Sequence, residues 1–178
     1  MHNVSYRAIV IQGTIHNDDP KAANMWMPAT SYWTQPAGEA HITSAKGKIN
    51  IALVEIDRAP YLVKPVKQKF DNGERPYNIH ASNILWREED TIASAPLWKN
   101  SNGEISGRLI RFSNRIKIDE TSAKIVVISG SLKSASHANM PLTPGSFIEI
   151  KKTGIELFCR EQQDCIFYFK SKEPFRLQ

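Results

Sequence analysis

Thr30-Ser31-Tyr32-Trp33-Thr34-Gln35-Pro36-Ala37-Gly38-Glu39-Ala40-His41-Ile42-Thr43 is the stretch on which the reading of this chain rests. A proline, a glycine two residues on and a histidine three beyond that predict a tight turn that delivers an imidazole onto the start of a strand. Strand side chains alternate, so His41 and Thr43 face one way and Ile42 the other. One face therefore receives a group able to bind a ligand or metal, and the opposite face an apolar one.

Outward from the turn, the pattern is strand and turn rather than helix. Residues 6–11 are aromatic and β-branched enough for a strand that Gly13 is expected to close, and residues 16–23 read as a loop. Residues 48–56 alternate as a half-buried strand, and residues 60–65 are a further extended piece. A turn-rich connection over residues 70–78 leads to a predicted apolar strand at 83–86. His2, Val4, Tyr6, Ala8 and Val10 share one strand face.

The second half repeats the first. Lys124-Ile125-Val126-Val127-Ile128-Ser129-Gly130 matches Arg7-Ala8-Ile9-Val10-Ile11-Gln12-Gly13 position by position, and Thr143-Pro144-Gly145-Ser146-Phe147-Ile148 matches Pro28-Ala29-Thr30-Ser31-Tyr32-Trp33, with Gly145 set against Thr30. Residues 107–112 supply an opening strand without a counterpart in the first copy. The domains expected are thus 1–86, a linker over 87–104, and 105–178.

Composition narrows the function classes. Of 23 Lys/Arg and 18 Asp/Glu, residues 1–104 hold 11 of each, so the whole basic excess lies in 105–178. No nucleic-acid motif or aromatic-basic interleaving accompanies it, so it reads as a solvated lysine-rich strand face that guards sheet edges. No apolar run is long enough to span a membrane and no secretory signal is evident, which makes the cytoplasm the expected location. Cys159 and Cys165 would face each other if residues 160–164 turn a hairpin with an odd-numbered loop: bridged in an oxidising compartment, free and partly buried inside a cell.

The turn motif resembles the second signature of the cupins, small β-barrels of the RmlC-like jelly-roll type. His2 lies before Gly13 at the spacing of the second histidine of the first cupin motif, and Tyr6 falls where many cupins carry a glutamate ligand. Ser5-Tyr6-Arg7-Ala8-Ile9-Val10-Ile11-Gln12-Gly13, the stretch 31–41, Gly73-Glu74-Arg75-Pro76 and Asn83-Ile84-Leu85-Trp86 are similar to a family of uncharacterised two-cupin proteins related to the cupin domains of ChrR-type anti-sigma factors. The resemblance implies an all-β tandem cupin with an incomplete first barrel and a degenerate second one. It implies His2 and His41 as ligands of one divalent Zn, Fe, Ni or Mn ion in the first barrel, with Tyr6, Trp33 and Gln35 around the cavity. In the second barrel the corresponding positions become Lys117, Asp119, Ala123 and Glu156, a set unsuited to an N/O metal site and expected to form a salt-bridged plug. Two functions follow as expectations: a small-ligand-binding or structural module with a lost or weak metal site, or a metal-dependent enzyme of the dioxygenase type. A barrel lacking strands leaves an open edge, so a homodimer is expected, without nucleic acid or membrane as partner.

Overall fold

The computed structural model describes residues 1–100, 102–135, 140–160, 164–171 and 176–178, the side chain of Glu120 excepted. The chain divides into two compact units, Met1–Ile84 and Leu85–Gln178. Both are built of antiparallel strands, and no helix among the described residues is long and apolar enough to cross a membrane.

Unit 1 holds β1 (Tyr6–Asp18), β2 (Tyr32–Gln35), β3 (Ile42–Ile56) and β4 (Tyr77–Ile79), in the spatial order β3-β1-β2-β4. The expected stop at Gly13 does not occur. Register shifts on either side of Gln12 make a bulge there, and Gly13 at φ +77 lets β1 bend past β3 and run on to Asp18. A side chain at Gly13 would stand 2.2 Å from Asn50 Oδ1, the oxygen that accepts a hydrogen bond from the Thr14 amide, so only glycine fits this crossing. Residues 83–86 are not a strand either. Ala81–Asn83 form a 3₁₀ turn in which His80 Nδ1 accepts from the Ser82 amide and Ser31 Oγ accepts from the Ala81 amide. These side-chain bonds satisfy the backbone locally and remove it from any ladder.

Unit 2 holds β5 (Arg87–Glu89), β6 (Ile92–Lys99), β7 (Ile105–Phe112), β8 (Arg115–Ser129), β9 (Leu132–Ser134), β10 (Phe147–Cys159) and β11 (Cys165–Ser171), ordered β5-β6-β7-β11-β8-β10-β9. Residues 87–104, expected as a linker, thus contribute two strands. β6 alternates Ala93, Ala95 and Leu97 into the interior along its pairing with β7, a period-2 pattern hidden among its Ser and Pro residues. The core gathers Ile110, Phe112, Ile118, Ile125, Phe167 and Phe169, all essentially inaccessible. Cys159 and Cys165 are joined by a disulfide with Cα atoms 5.7 Å apart, and residues 161–163 of the expected hairpin loop lie outside the described residues.

The repeat read from the sequence has a structural counterpart in register. In unit 1 the Thr30 amide donates to Val10 O, Val10 N to Ser31 O and Ser31 N to Pro28 O; in unit 2 Gly145 N donates to Val127 O, Val127 N to Ser146 O and Ser146 N to Thr143 O. Thr30 and Gly145 both have positive φ, 78 and 92. The isolated bridge Ile15–Met27 recurs as Leu132–Leu142. Ile9 pairs with Tyr32 and Leu53, as Val126 pairs with Phe147 and Tyr168. By this correspondence β11 stands in unit 2 where the end of β3 stands in unit 1.

Candidate functional site

The site is built on the inner face of unit 1. Tyr6 pairs with Gln35 and Ala8 with Trp33, so these four residues face the same way, and with Val10, Ile15 and Met27 they line the small core. Within this apolar setting lies a chain of polar groups. Asn17, 1% exposed, donates through Nδ2 to Gln35 Oε1 (2.9 Å), while its Oδ1 accepts from Thr43 Oγ1 (2.7 Å) and from the Tyr6 hydroxyl (3.3 Å). Gln35 Nε2 continues the chain to Glu39 Oε2 at 3.5 Å. Trp33 Nε1 is buried without a partner. Unit 2 has Ala123, Ser134, Ile148 and Ile150 where unit 1 has Tyr6, Asn17, Trp33 and Gln35, so the polar chain belongs to unit 1.

The proline-glycine turn then sets the histidine. Gly38, at φ +84, donates its amide to His2 O (2.8 Å) and accepts from Phe70 N (3.1 Å). The Ala37 amide donates to Ser5 Oγ (3.0 Å), and that hydroxyl donates to Glu74 Oε2 (2.6 Å). Thus the N-terminal segment and the 70–74 connection grip the turn from two sides. His41 emerges just ahead of β3, as the spacing predicts, with Nε2 3.0 Å from Nε2 of His2.

Tautomers follow from the partners. A carbonyl only accepts, so the contact of His41 Nδ1 with Glu39 O (3.3 Å) puts the proton on Nδ1 and leaves a lone pair on Nε2. With both imidazoles neutral, His2 Nε2–H is the donor of the pair, and the Tyr61 hydroxyl lies 3.1 Å from the same nitrogen. Tyr61 also stacks on His2 at 4.6 Å, and the Tyr6 ring stands edge-on to it at 5.4 Å. Tyr61 reaches this place because the extended segment 60–65 pairs with the chain start: His2 bridges Val63, and Leu62 N donates to Asn3 Oδ1. The sequence shows that segment as extended but carries no local signal of what it pairs with.

Burial governs the protonation of these groups. His2 is lowered to about 4, chiefly by desolvation and next by the neighbouring His41, and His41 is lowered by desolvation too. The Tyr61 phenol is pushed up to about 12 and Tyr6 is raised, both mainly by burial. At neutral pH the mouth therefore presents two neutral imidazoles and two intact phenols. Because the folded-state histidine pKa lies below its unfolded value of about 6.5, the unfolded chain binds more protons at acid pH. Stability from His2 is present above pH 6.5 and is lost as pH falls toward 4, by about 2 kcal/mol after allowing for water at the mouth. Urea midpoints between pH 7.5 and 4.5 should show this decline, and His2→Gln should remove most of it; an unchanged slope in the variant would assign the acid lability elsewhere.

Among the described residues no three His, Cys, Asp or Glu side chains group to hold a metal. The Nε2 atoms are as close as two adjacent ligands held about 2.1 Å from one ion, and the Glu39 carbonyl orients His41 as a metal-bound histidine is usually oriented, but sharing an ion would require His2 to carry its proton on Nδ1, which is buried without a partner. Protonated phenols add little to such an affinity. A cavity of about 400 Å³ lies against the same turn, lined by Pro36, Glu39, Phe70, Asp71 and Arg75, but none of the four rings lines it. Glu39 is raised there by burial, against the pull of Arg75.

The second set of positions shares one face, with Lys117 opposite Glu156, but that face is not the interior. Lys117 is exposed, Asp119 accepts from Gln178 Nε2 (3.3 Å), and Glu156 forms its ion pair with Arg115. Ile116, Ile118 and Leu157 take the inward positions between them, so among the described residues Lys117, Asp119 and Glu156 form no salt-bridged plug in the interior of unit 2. Strand alternation sends the three polar residues to the opposite side.

Comparison with solved structures places this architecture. A protein from Nostoc punctiforme matches over 97% of this chain and 63% of its own, at 13% identity and TM-score 0.68. A salicylate 1,2-dioxygenase from Pseudaminobacter salicylatoxidans matches over 99% and 69% (10%, 0.55), and an oxalate decarboxylase over 99% and 65% (13%, 0.58). At such identities the likeness is one of fold, and the chain spans roughly two thirds of those proteins. The molecule is a cupin-fold, all-β protein. It belongs to the family described as Domain of unknown function (DUF4437), whose profile matches residues 1–178. No curated protein matches the sequence.

Proposed function

We propose that unit 1 is a small-molecule-binding module of the cupin kind, with His2, His41, Tyr6 and Tyr61 as its recognition groups and a divalent metal held weakly. The carrying observation is the approach of His2 Nε2 and His41 Nε2 to 3.0 Å beside the Tyr61 hydroxyl, a cluster of neutral donors and acceptors backed by an apolar core. Such a cluster suits hydrogen bonding to a polar group on a small organic ligand whose apolar part rests on aromatic rings. Unit 2, with the same backbone register and an apolar interior, reads as a duplicated cupin unit that serves as scaffold.

A second reading is favoured by the tautomer of His41, whose Nε2 lone pair, now facing His2 Nε2, would ligate a metal that displaced that contact. In it the chain is a metal-dependent enzyme of the dioxygenase type, the activity named for the Pseudaminobacter neighbour. A bound Zn, Fe, Ni or Mn ion would supply Lewis-acid or redox chemistry; His2 and His41 would hold it, and Tyr61 would orient a ligand beside it. Elemental analysis of protein purified without chelator separates the two readings. The binding module predicts far less than one transition metal per chain and a calorimetric Kd for Ni²⁺ of about 10 µM or weaker, lost in His41→Ala. Close to one metal per chain would favour the enzyme. An unchanged Ni²⁺ isotherm and unchanged metal content in His41→Ala would refute both.

A further inference from the structure

We propose that unit 2 carries a binding site of its own, for an uncharged aromatic small molecule, at a place that unit 1 fills with its own side chains. This goes beyond the scaffold role of unit 2 and does not depend on the histidine cluster. A cavity of about 410 Å³ lies against β10, walled by Leu142, Phe147, Ile148, Ile150 and Ile155. Concave and mainly apolar spaces of this size are where small organic molecules bind.

The internal repeat shows what shapes the cavity. By the shared register Ile148 stands where Trp33 does, Ser134 where Asn17 does and Leu142 where Met27 does. Ile148 and Ile150 pair with Ile125 and Ala123 of the core, as Trp33 and Gln35 pair with Ala8 and Tyr6, so all four point inward. In unit 1 the indole closes this space: Trp33 is 2% and Met27 0% exposed. In unit 2 an isoleucine takes the place of the indole and a serine that of the asparagine amide. Leu142, Ile148 and Ile155 are there only half-buried, although they pack against the core. The backbone does not close over the smaller side chains, since the turn at 143–146 is tied to β8 by the same hydrogen bonds that tie 28–31 to β1.

The lining selects the occupant. Among the described residues that wall the cavity only Glu149 and no other is charged, and Lys151 Nζ pairs with it at 3.2 Å. The hydroxyls of Ser134 and Thr153 are the remaining polar side chains, so a charged molecule would give up its hydration without an ionic partner. Phe147 and Met140, the most exposed of the apolar lining, offer an aromatic face and a polarisable thioether to a flat ring. A ring held there takes the place that the Trp33 indole takes in unit 1.

Indole is therefore the probe. Titrated into the full chain and followed by methyl NMR, it should shift the δ1 methyls of Ile148, Ile150 and Ile155 saturably, with a Kd on the order of 100 µM, and leave that of Ile15 in unit 1 in place. Indole-3-acetate, the same ring with a carboxylate, should bind at least tenfold more weakly. Ile148→Trp, which supplies the indole from the chain itself, should fold and lose at least tenfold in affinity for free indole. The methyl map is read on the wild-type chain and does not depend on that variant folding. The proposal is overturned if indole shifts none of the three methyls up to about 2 mM or shifts only those of unit 1, if indole-3-acetate binds as tightly, or if a folded Ile148→Trp keeps its affinity.

Discussion

Gly38→Ala should destabilise unit 1 by about 3 kcal/mol, lower its melting temperature by on the order of 10 °C and abolish the histidine pair. Two effects combine. At φ +84 any L side chain is strained by about 1–2 kcal/mol, and the new Cβ would stand 2.3 Å from Phe70 O and 2.7 Å from the Phe70 ring. The contact with backbone cannot be relieved by a rotamer change, so either the turn or the 70–74 connection must move. Movement of the turn weakens the Gly38 N–H bond to His2 O and carries His41 off His2. Gly73→Ala is the control: its φ is +87 but nothing lies within 4 Å of the added carbon, so only the conformational cost of about 1 kcal/mol applies. Equal losses in the two variants, measured by urea unfolding, would show that the packing of Phe70 on the turn is unimportant.

Asn17→Leu should cost about 3 kcal/mol although the volumes are close and no large cavity is created. Asn17 is the hub of the buried polar chain, and its loss leaves the Gln35 carbonyl, the Thr43 hydroxyl and the Tyr6 hydroxyl without their partner. Each such orphan costs about 1 kcal/mol or more. Gln35→Leu alone should also destabilise, but the double variant should fall short of the summed losses by about 1 kcal/mol, because replacing both partners of a hydrogen bond removes the orphan. Unit 2 already shows the apolar solution, with Ile150 at the position of Gln35. Additive losses in the double-mutant cycle would mean that the Asn17–Gln35 bond contributes nothing. The Tyr6 phenol, released from Asn17, should also alter any ligand affinity at the mouth without changing the His2–His41 distance.

How much of this could be read from residues alone varies with the range of the interaction. The turn at 36–41 and the delivery of His41 ahead of a strand were legible because proline and glycine restrict backbone dihedrals locally. The repeated sequence pattern was legible because matching segments satisfy the same local constraints, and the positive φ shared by Thr30 and Gly145 marks one of them. The pairing of His2 with His41 came from resemblance to the cupins, and the structure brings their Nε2 atoms to 3.0 Å. Nothing local marks Tyr61, since the pairing of residues 60–65 with the chain start is set by which segments meet after collapse. The length of β1 is not legible at Gly13, because a glycine in a strand signals a turn or a bulge equally well. Residues 87–104 read as a linker because serine, asparagine and proline hide an alternation that pairing with β7 makes useful.

The strand-and-turn pattern and the turn that aims an imidazole follow from steric rules acting over a few residues, and the cupin architecture from the resemblance of the motifs built on them. Long-range packing set that Asn17 ties Tyr6 to Gln35 and that Tyr61 closes on His2. Those outcomes depend on distances between segments far apart in the chain, which side-chain alternation constrains to a face but not to a partner.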